Sequence, residues 1–299
     1  MAVQKKQKWQ TPVARQAGRN VMVSGINCLD LSLTLDCGQA FRWQRLEDGR
    51  WRGVAGGYPL MVGIEEQAAG ASTLVLYDTS LAAYEGFWRN YFDMDRDYGI
   101  ILQAMEGHPV LAQAAAAARG IRLLRQEPWE ALCSFIISQN NNIPRIKGII
   151  ARLCRSFGKP IAAPDGWADY TFPSPADLAD QTPATLAPLR AGFRTTYILD
   201  AAKKVAEGQV RLDDLAALPL EEARARLMQI KGVGPKVADC ALLFGAGHLD
   251  AFPADVWIKR AMKTLFDGTL PACAEPYAGI AQQYIFHYAR TTRLQVEEP

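Results

Sequence analysis

Residues 228–257 read MQIKGVGPKVADCALLFGAGHLDAFPADVW, and the fold turns on this stretch. Leu220 to Ile230 carries apolar residues at helical spacing. Gly232-Val233-Gly234 interrupts the pattern, and Pro235 restarts a helix at the position where a missing N–H costs nothing. The spacing therefore predicts two helices joined by a short glycine turn, a helix-hairpin-helix over about residues 220–246. Glycine lets the backbone approach a partner closely. The helix that follows presents unpaired N–H groups and the positive end of its dipole. Gly232, Val233 and Gly234 are thus candidates to hold an anion such as a DNA phosphate.

Lys236 stands second in the new helix, where the dipole disfavours its charge. Desolvation there is expected to lower its pKa and yield a neutral amine nucleophile. Cys240, four residues on, shares the face of Lys236. Nineteen residues beyond Lys236 comes Asp255, in FPADVW. Pro253 reads as a helix start, which puts Asp255 in a first turn whose N–H groups keep a carboxylate ionised. An amine and a carboxylate at two helix N-termini suit attack on a sugar carbon and stabilisation of developing positive charge. On spacing alone, Lys236 also reads as a solvated lysine and Asp255 as an ordinary cap.

The 299 residues suffice for two or three domains, and 49% apolar with 21% charged residues is an ordinary globular composition. No apolar run is long enough to span a membrane, and the N-terminus lacks the apolar core of a secretory leader. The expectation is an intracellular protein, cytoplasmic or nucleoid-associated in a prokaryote, nuclear in a eukaryote. Six cysteines at 28, 37, 133, 154, 240 and 273 form no C-x-x-C pair, so reduced thiols are expected rather than zinc or disulfides. Net charge is only +2. Lys5, Lys6, Lys8, Arg15 and Arg19 precede the first acidic residue, Asp30, and without them 28 basic residues face 31 acidic ones, a net −3. Residues 1–20 read as a basic tail, either a phosphate-contacting arm or a disordered extension. Any DNA binding must rest on local features rather than on bulk charge.

Along the chain, 29–35 (LDLSLTL) alternates with period two and predicts a half-buried strand, continued by Phe41 and Trp43. Asp48-Gly49 signals a hairpin with Trp51 and Val54 on the return strand. Residues 58–64 and 72–77 are further β-rich runs. Helical spacing begins at Tyr84, Phe87, Trp88 and Tyr91 and continues near 111–118, 128–137, 144–157, 183–190, 195–207, 219–230, 235–246, 253–265 and 276–290. Proline-rich 160–175 reads as a loop. The fold class is α+β, an N-terminal antiparallel sheet domain over about 21–108 followed by a mainly helical part over 109–299.

Gln139-Asn140-Asn141-Asn142 closes a helix, where amide groups can reach base edges or simply cap and turn. Arg145, just past Pro144, alone reads as a surface arginine. Phe193 follows Gly192, and an aromatic there either wedges into a base stack or packs into the core.

With these residues laid out, the chain strongly resembles the 8-oxoguanine DNA glycosylases of the helix-hairpin-helix superfamily. GVGPKVADC with FPADV resembles the catalytic segment. CGQAFRW (37–43), FIISQNNNIPRI (135–146), GFRTTY (192–197) and PYAGIAQQYIF (276–286) resemble further blocks in the family's order. The resemblance spans roughly residues 25–290. It implies Lys236 as nucleophile and Asp255 as its electrostatic partner. It implies that Cys240 and Phe286 wall the lesion pocket and that Gln282 reads the pairing edge. Gly38 would offer its carbonyl to the N7–H that 8-oxoguanine has and guanine lacks. Asn140, Arg145 and Arg194 would contact the orphaned cytosine, with Phe193 as wedge where family members often carry tyrosine. Without the resemblance, Gly38 is a turn, Cys240 a small core residue and Gln282 a solvated one. Trp257 stands where the best-known eukaryotic members have a histidine near a DNA phosphate, and it can donate one N–H but carry no charge. The cysteine ligands of the iron–sulfur cluster found in some related glycosylases are missing near the C-terminus.

The expected activity is a bifunctional 8-oxoguanine glycosylase and AP lyase acting as a monomer on lesion:cytosine pairs in double-stranded DNA, with no membrane partner. No cofactor and no catalytic metal is called for, although carbonyls of the 232–234 turn are compatible with a bound ion. Two alternatives remain. One is an alkylated-purine glycosylase of the same superfamily, which has no use for an amine at 236. The other is a non-catalytic helix-hairpin-helix DNA-binding module.

Overall fold

The computed structural model describes residues 9–66, 72–163 and 166–292. Lys5, Lys6 and Lys8 of the expected basic tail lie outside them. Strands β1 (Val13–Ala17), β2 (Asn20–Ser24), β3 (Trp43–Arg45), β4 (Trp51–Ala55), β5 (Tyr58–Glu66) and β6 (Ser72–Tyr77) form one antiparallel sheet in the order β1-β2-β6-β5-β4-β3. The Asp48-Gly49 turn joins β3 to β4 as the sequence predicts, with Gly49 at φ +86°. Gly53 faces Trp43 across this pair, and a Cβ there would sit 2.6 Å from the indole.

Two expectations for this half are corrected. Residues 13–17 are not a tail but a strand, so Arg15 sits in an edge hairpin, and Arg19 at the turn pairs with Asp78 at 2.6 Å. An edge strand can carry polar residues on both faces, so its apolar signal is weak. Residues 29–35 are not a strand either. Leu31–Leu35 forms α1, capped by Asp30, whose side chain accepts from Leu33 N at 2.8 Å. Leu31 and Leu35 stand four apart and Thr34 shares their buried face, so alternation also satisfied a helix. The cap decided between them.

Helices follow: α2 (Leu81–Ala83) runs through a π turn over Tyr84–Trp88 into α3 (Arg89–Tyr91), then α4 (Tyr98–Met105) and α5 (Pro109–Ala117). Next come α6 (Pro128–Ser138), α7 (Ile143–Phe157), α8 (Pro175–Ala179), α9 (Arg194–Ala206) and α10 (Leu220–Leu227). The last are α11 (Pro235–Ala241), extended by a π turn over Leu242–Ala246, α12 (Val256–Leu265) and α13 (Ala278–Thr291). The expected loop at 160–175 contains a small hairpin, β7 (Pro160–Ala162) with β8 (Ala168–Tyr170), and the start of α8 with a Ser174–Asp177 capping box. The expected helix at 183–190 reduces to one 3-10 turn, Ala187–Leu189, because Pro188 in its interior removes an N–H donor and its ring clashes with the preceding turn.

Two apolar cores form. Trp43, Trp51, Trp88, Tyr91 and Phe92 pack under the sheet, and a larger core fills the helical part. Buried polar groups tie the halves together. Arg122, 1% exposed, donates to the carbonyls of Asn27, Phe92, Asp93 and Arg96 at 2.6–3.2 Å and lies 4.1 Å from the Tyr98 ring centroid. Gln39 donates to Thr34 O and Arg122 O, both at 2.8 Å, and accepts from Leu124 N at 2.9 Å. That full set of partners fixes the 37–39 loop against the helical body.

Candidate active site

α6 is the spine of the site, with α7, α9 and α11 packed around it. Phe135 on α6 stacks on Phe244, with centroids 5.2 Å apart and planes at 18°. A small cavity of about 50 Å³, partly open to solvent, lies beside this pair. Its lining includes Gly38, Lys236, Cys240, Asp255, Gln282 and Phe286, so all six residues singled out for chemistry or the base pocket come together from three distant segments.

Gly234 caps α11, Pro235 is its first residue and Lys236 its second. Lys236 Nζ lies 5.4 Å from the Phe135 ring centroid. Burial pushes the Cys240 thiol up to about 11, opposed by the neighbouring Lys236, so this wall is a neutral thiol at physiological pH. Asp255 caps α12 instead of standing inside its first turn. The helix starts at Val256, not at Pro253, and Asp255 Oδ1 accepts from Ile258 N at 2.8 Å. A cap residue keeps extended backbone and lets its carboxylate turn back to the third N–H, which outcompeted Pro253 as the start. Gly38 has φ +94°, a conformation L side chains rarely adopt, while a Cβ there would meet only Ile143 Cδ1 at 3.6 Å. The backbone conformation therefore demands glycine more than the space does. Gln282 is buried, not solvated, and its amide nitrogen donates to Pro253 O at 3.0 Å.

A second cluster forms where α6, α7 and α9 meet. Asn140 is exposed with φ +46°, a left-handed conformation that asparagine tolerates. Its side-chain amide has no hydrogen bond among the described residues. The neighbouring asparagines are occupied: Asn141 donates to Ile137 O, and Asn142 caps α7 by accepting from Arg145 N. Arg145 is exposed and reaches Arg190 O at 3.4 Å. Phe193 is 51% exposed, so it is not a core residue. Arg194 is buried, with its guanidinium 4.4 Å from the Phe193 ring centroid. It donates twice to Gln139 O, once to Asn140 O at 2.8 Å and once to Ala191 O at 3.1 Å. Four of its five N–H groups are thus spent on the loop, leaving one free. Burial and the like charge of Arg145 both lower its pKa from the usual guanidinium value.

At the hairpin turn Gly232 has φ +77°, and a Cβ there would lie 2.3 Å from the Tyr197 ring. Val233 is buried and its N–H is bonded to Ile230 O at 3.1 Å. The N–H groups of Gly232 and Gly234 have no hydrogen bond among the described residues, so they, not Val233, are open to an anion. Trp257 is 37% exposed beside Val256 at 69%, and the Arg260 guanidinium stands 5.8 Å from its ring centroid.

Sequence reasoning missed Cys37, Phe135, Phe244, Pro253 and Gln283, which also line the cavity. Phe244 was detectable, since it stands four residues after Cys240 and eight after Lys236 on one helical face. Nothing local marks Gln283. All six cysteines are unpaired, and among the described residues no helix is long and apolar enough to cross a membrane.

Comparison with known proteins agrees with this architecture. Residues 21–132 match the N-terminal domain of 8-oxoguanine DNA glycosylase, and residues 133–269 match the HhH-GPD superfamily base excision DNA repair protein. The chain is 42% identical over 164 residues to the N-glycosylase/DNA lyase of Saccharomyces cerevisiae, a match covering 51% of this chain and 43% of the yeast protein. The solved structure of MBOgg1 with a low-affinity DNA ligand superposes with TM-score 0.87 at 41% identity, covering 95% of this chain and all of that one. The 8-oxoguanine glycosylase/lyase of Clostridium acetobutylicum, solved with double-stranded DNA containing cytosine opposite 8-oxoG, gives 0.86 at 33% identity, covering 96% and 100%. The chain belongs to the 8-oxoguanine DNA glycosylase family of the HhH-GPD superfamily.

Proposed function

We propose that this protein excises 8-oxoguanine from double-stranded DNA where cytosine lies opposite and then cleaves the strand at the resulting abasic site. The observation that carries the reading is the convergence of Lys236, Asp255 and Gly38 on one cavity walled by Cys240 and Phe286. A stacked nucleotide hides its sugar carbon, so the lesion must be turned out of the helix. Exposed Phe193 wedges the stack. Asn140 and Arg145, with the remaining donor of Arg194, hold the widowed cytosine. The free N–H groups of Gly232 and Gly234, with Trp257, take phosphates. The flipped base enters between Cys240 and Phe286, its N7–H meeting the Gly38 carbonyl and its pairing edge meeting Gln282.

Neutral Lys236 attacks C1′ as the bond to N9 breaks, and the base departs with the bonding electrons and takes up a proton. Asp255 stabilises the cationic sugar and assists the proton transfers. Opening of the ring gives an imine on Lys236. Loss of a C2′ proton then expels the 3′ phosphate and cuts the strand.

The test is base release from a panel of duplexes, read by mass spectrometry. Free 8-oxoguanine, faster opposite cytosine than opposite adenine, with a cut strand is the expected outcome. Release of methylated purines with the strand intact would replace this reading with an alkylation glycosylase. Duplex binding with no released base would leave only a DNA-binding module.

A further inference from the structure

Gln282 and Gln283 are consecutive on α13, yet both are buried, at 4% and 6% exposure, and both line the base cavity. Adjacent helical residues point about 100° apart, so a second buried glutamine here is not required by the packing of the first. Their hydrogen bonds are directional. Gln282 Nε2 donates to Pro253 O at 3.0 Å, and a carbonyl can only accept, so this contact settles which end of the Gln282 amide carries nitrogen. Gln283 Nε2 then donates to Gln282 Oε1 at 2.6 Å. Cys37 Sγ stands 3.5 Å from Thr34 O and 3.8 Å from Gln283 Oε1, so its single S–H has both acceptors in reach. In the series Gln283, Gln282, Pro253 each glutamine amide is oriented by its neighbour.

We infer that Gln283 is a positioning residue for base selection, holding the Gln282 amide with its oxygen fixed as an acceptor for the extruded base. This rests on the 8-oxoguanine reading above and extends it. A guanine-type pairing edge offers N1–H and a 2-amino group, both donors, and matches a fixed acceptor. An adenine-type edge presents a bare N1 and requires a donor. A freely turning glutamine serves either edge by rotating half a turn. Here rotation would set Nε2 against the Gln283 donor and Oε1 against the Pro253 carbonyl, turning two hydrogen bonds into two repulsive contacts. Removing the Gln283 donor leaves only the Pro253 contact to oppose that rotation.

The substrates that isolate this effect are 8-oxoguanine and 8-oxoadenine, each opposite cytosine. They share the C8 oxygen and the N7–H that faces Gly38 and differ on the pairing edge. Gln283→Leu is expected to lower kcat/KM for 8-oxoguanine about tenfold, the worth of one hydrogen bond, and to narrow the preference over 8-oxoadenine by at least that factor. Gln283→Glu places an acceptor against Gln282 Oε1, and its preference is expected to return toward wild type as pH falls and the introduced carboxyl gains a donating proton. A merely structural role would lower both substrates together. An unchanged 8-oxoguanine to 8-oxoadenine ratio in Gln283→Leu, or a pH-independent ratio in Gln283→Glu, overturns the proposal. Wild-type protein that releases neither base would instead refute the 8-oxoguanine reading itself.

Discussion

Arg194 donates to the backbone carbonyl of Asn140 at 2.8 Å, and Asn140 holds a left-handed backbone at φ +46°. The buried guanidinium thus sets the shape of the loop that displays the Asn140 amide, and Arg145 stands exposed beside it. The two arginines should separate by experiment. Arg194→Ala strips donors from the carbonyls of Gln139, Asn140 and Ala191 and is expected to destabilise the fold by about 2–3 kcal/mol. Arg145→Ala should leave stability within about 0.5 kcal/mol. Both should weaken preference for cytosine over adenine opposite the lesion by roughly 1–3 kcal/mol. Urea unfolding and single-turnover excision check this, and unchanged preference in both variants would remove the cytosine assignment.

Asp255 caps α12 and, in the proposed mechanism, also faces the reacting sugar, and substitutions can divide the two roles. Asn also caps well, so Asp255→Asn should unfold within about 0.5 kcal/mol of wild type. Its base release should nonetheless fall roughly 100-fold, because the charge is gone. Asp255→Ala should lose about 1 kcal/mol of stability in addition. Equal rates for Asp255→Asn and wild type would show that the carboxylate charge is not used.

Gly232 is held by conformation and by space together, with φ +77° and the Tyr197 ring 2.3 Å from where a Cβ would lie. Gly232→Ala is expected to cost about 3 kcal/mol, combining left-handed strain with overpacking, and to weaken duplex binding. Gly234→Ala meets open space at an extended residue, so it should cost well under about 1 kcal/mol. Denaturation midpoints for the pair decide the matter, and similar midpoints would contradict the account.

Burial raises the Glu130 carboxyl from 4.5 to about 7, with Arg42 at 3.5 Å opposing the shift and Glu127 adding to it. A raised folded pKa means that the native state prefers the proton. Its contribution is fully present below pH 4.5 and is lost as pH rises through about 7, a change of about 3 kcal/mol. Glu130→Gln lacks this titration. Relative to wild type, the variant should therefore gain about 3 kcal/mol of stability between pH 4 and 8 by urea unfolding. A difference that stays flat across that range would contradict the raised value.

The helix-hairpin-helix was legible because glycine and proline punctuate backbone geometry locally, and Pro235 does start α11. The Asp48-Gly49 hairpin was legible for the same reason. α1 was misread because five residues with leucines at 31, 33 and 35 satisfy strand and helix alike, and the deciding Asp30 cap is a single contact. β1 was missed because its stability comes from pairing with β2, not from its own side chains. In the site, Lys236, Asp255, Gln282 and Phe286 came from motif resemblance. Gln39 and Gln283 did not, since a buried glutamine is recognisable only by partners supplied from elsewhere in the chain. Arg194 did come from the resemblance, but its burial was not legible, because it depends on carbonyls more than fifty residues away.

The central claim is that the Lys236 nitrogen bonds to deoxyribose. Borohydride added during turnover of an 8-oxoguanine:cytosine duplex reduces such an imine to a stable protein–DNA adduct. Wild-type protein is expected to give that adduct, with the peptide carrying Lys236 modified, and Lys236→Gln is expected to give none. An adduct of full yield from Lys236→Gln, or its attachment at another lysine, would contradict the account.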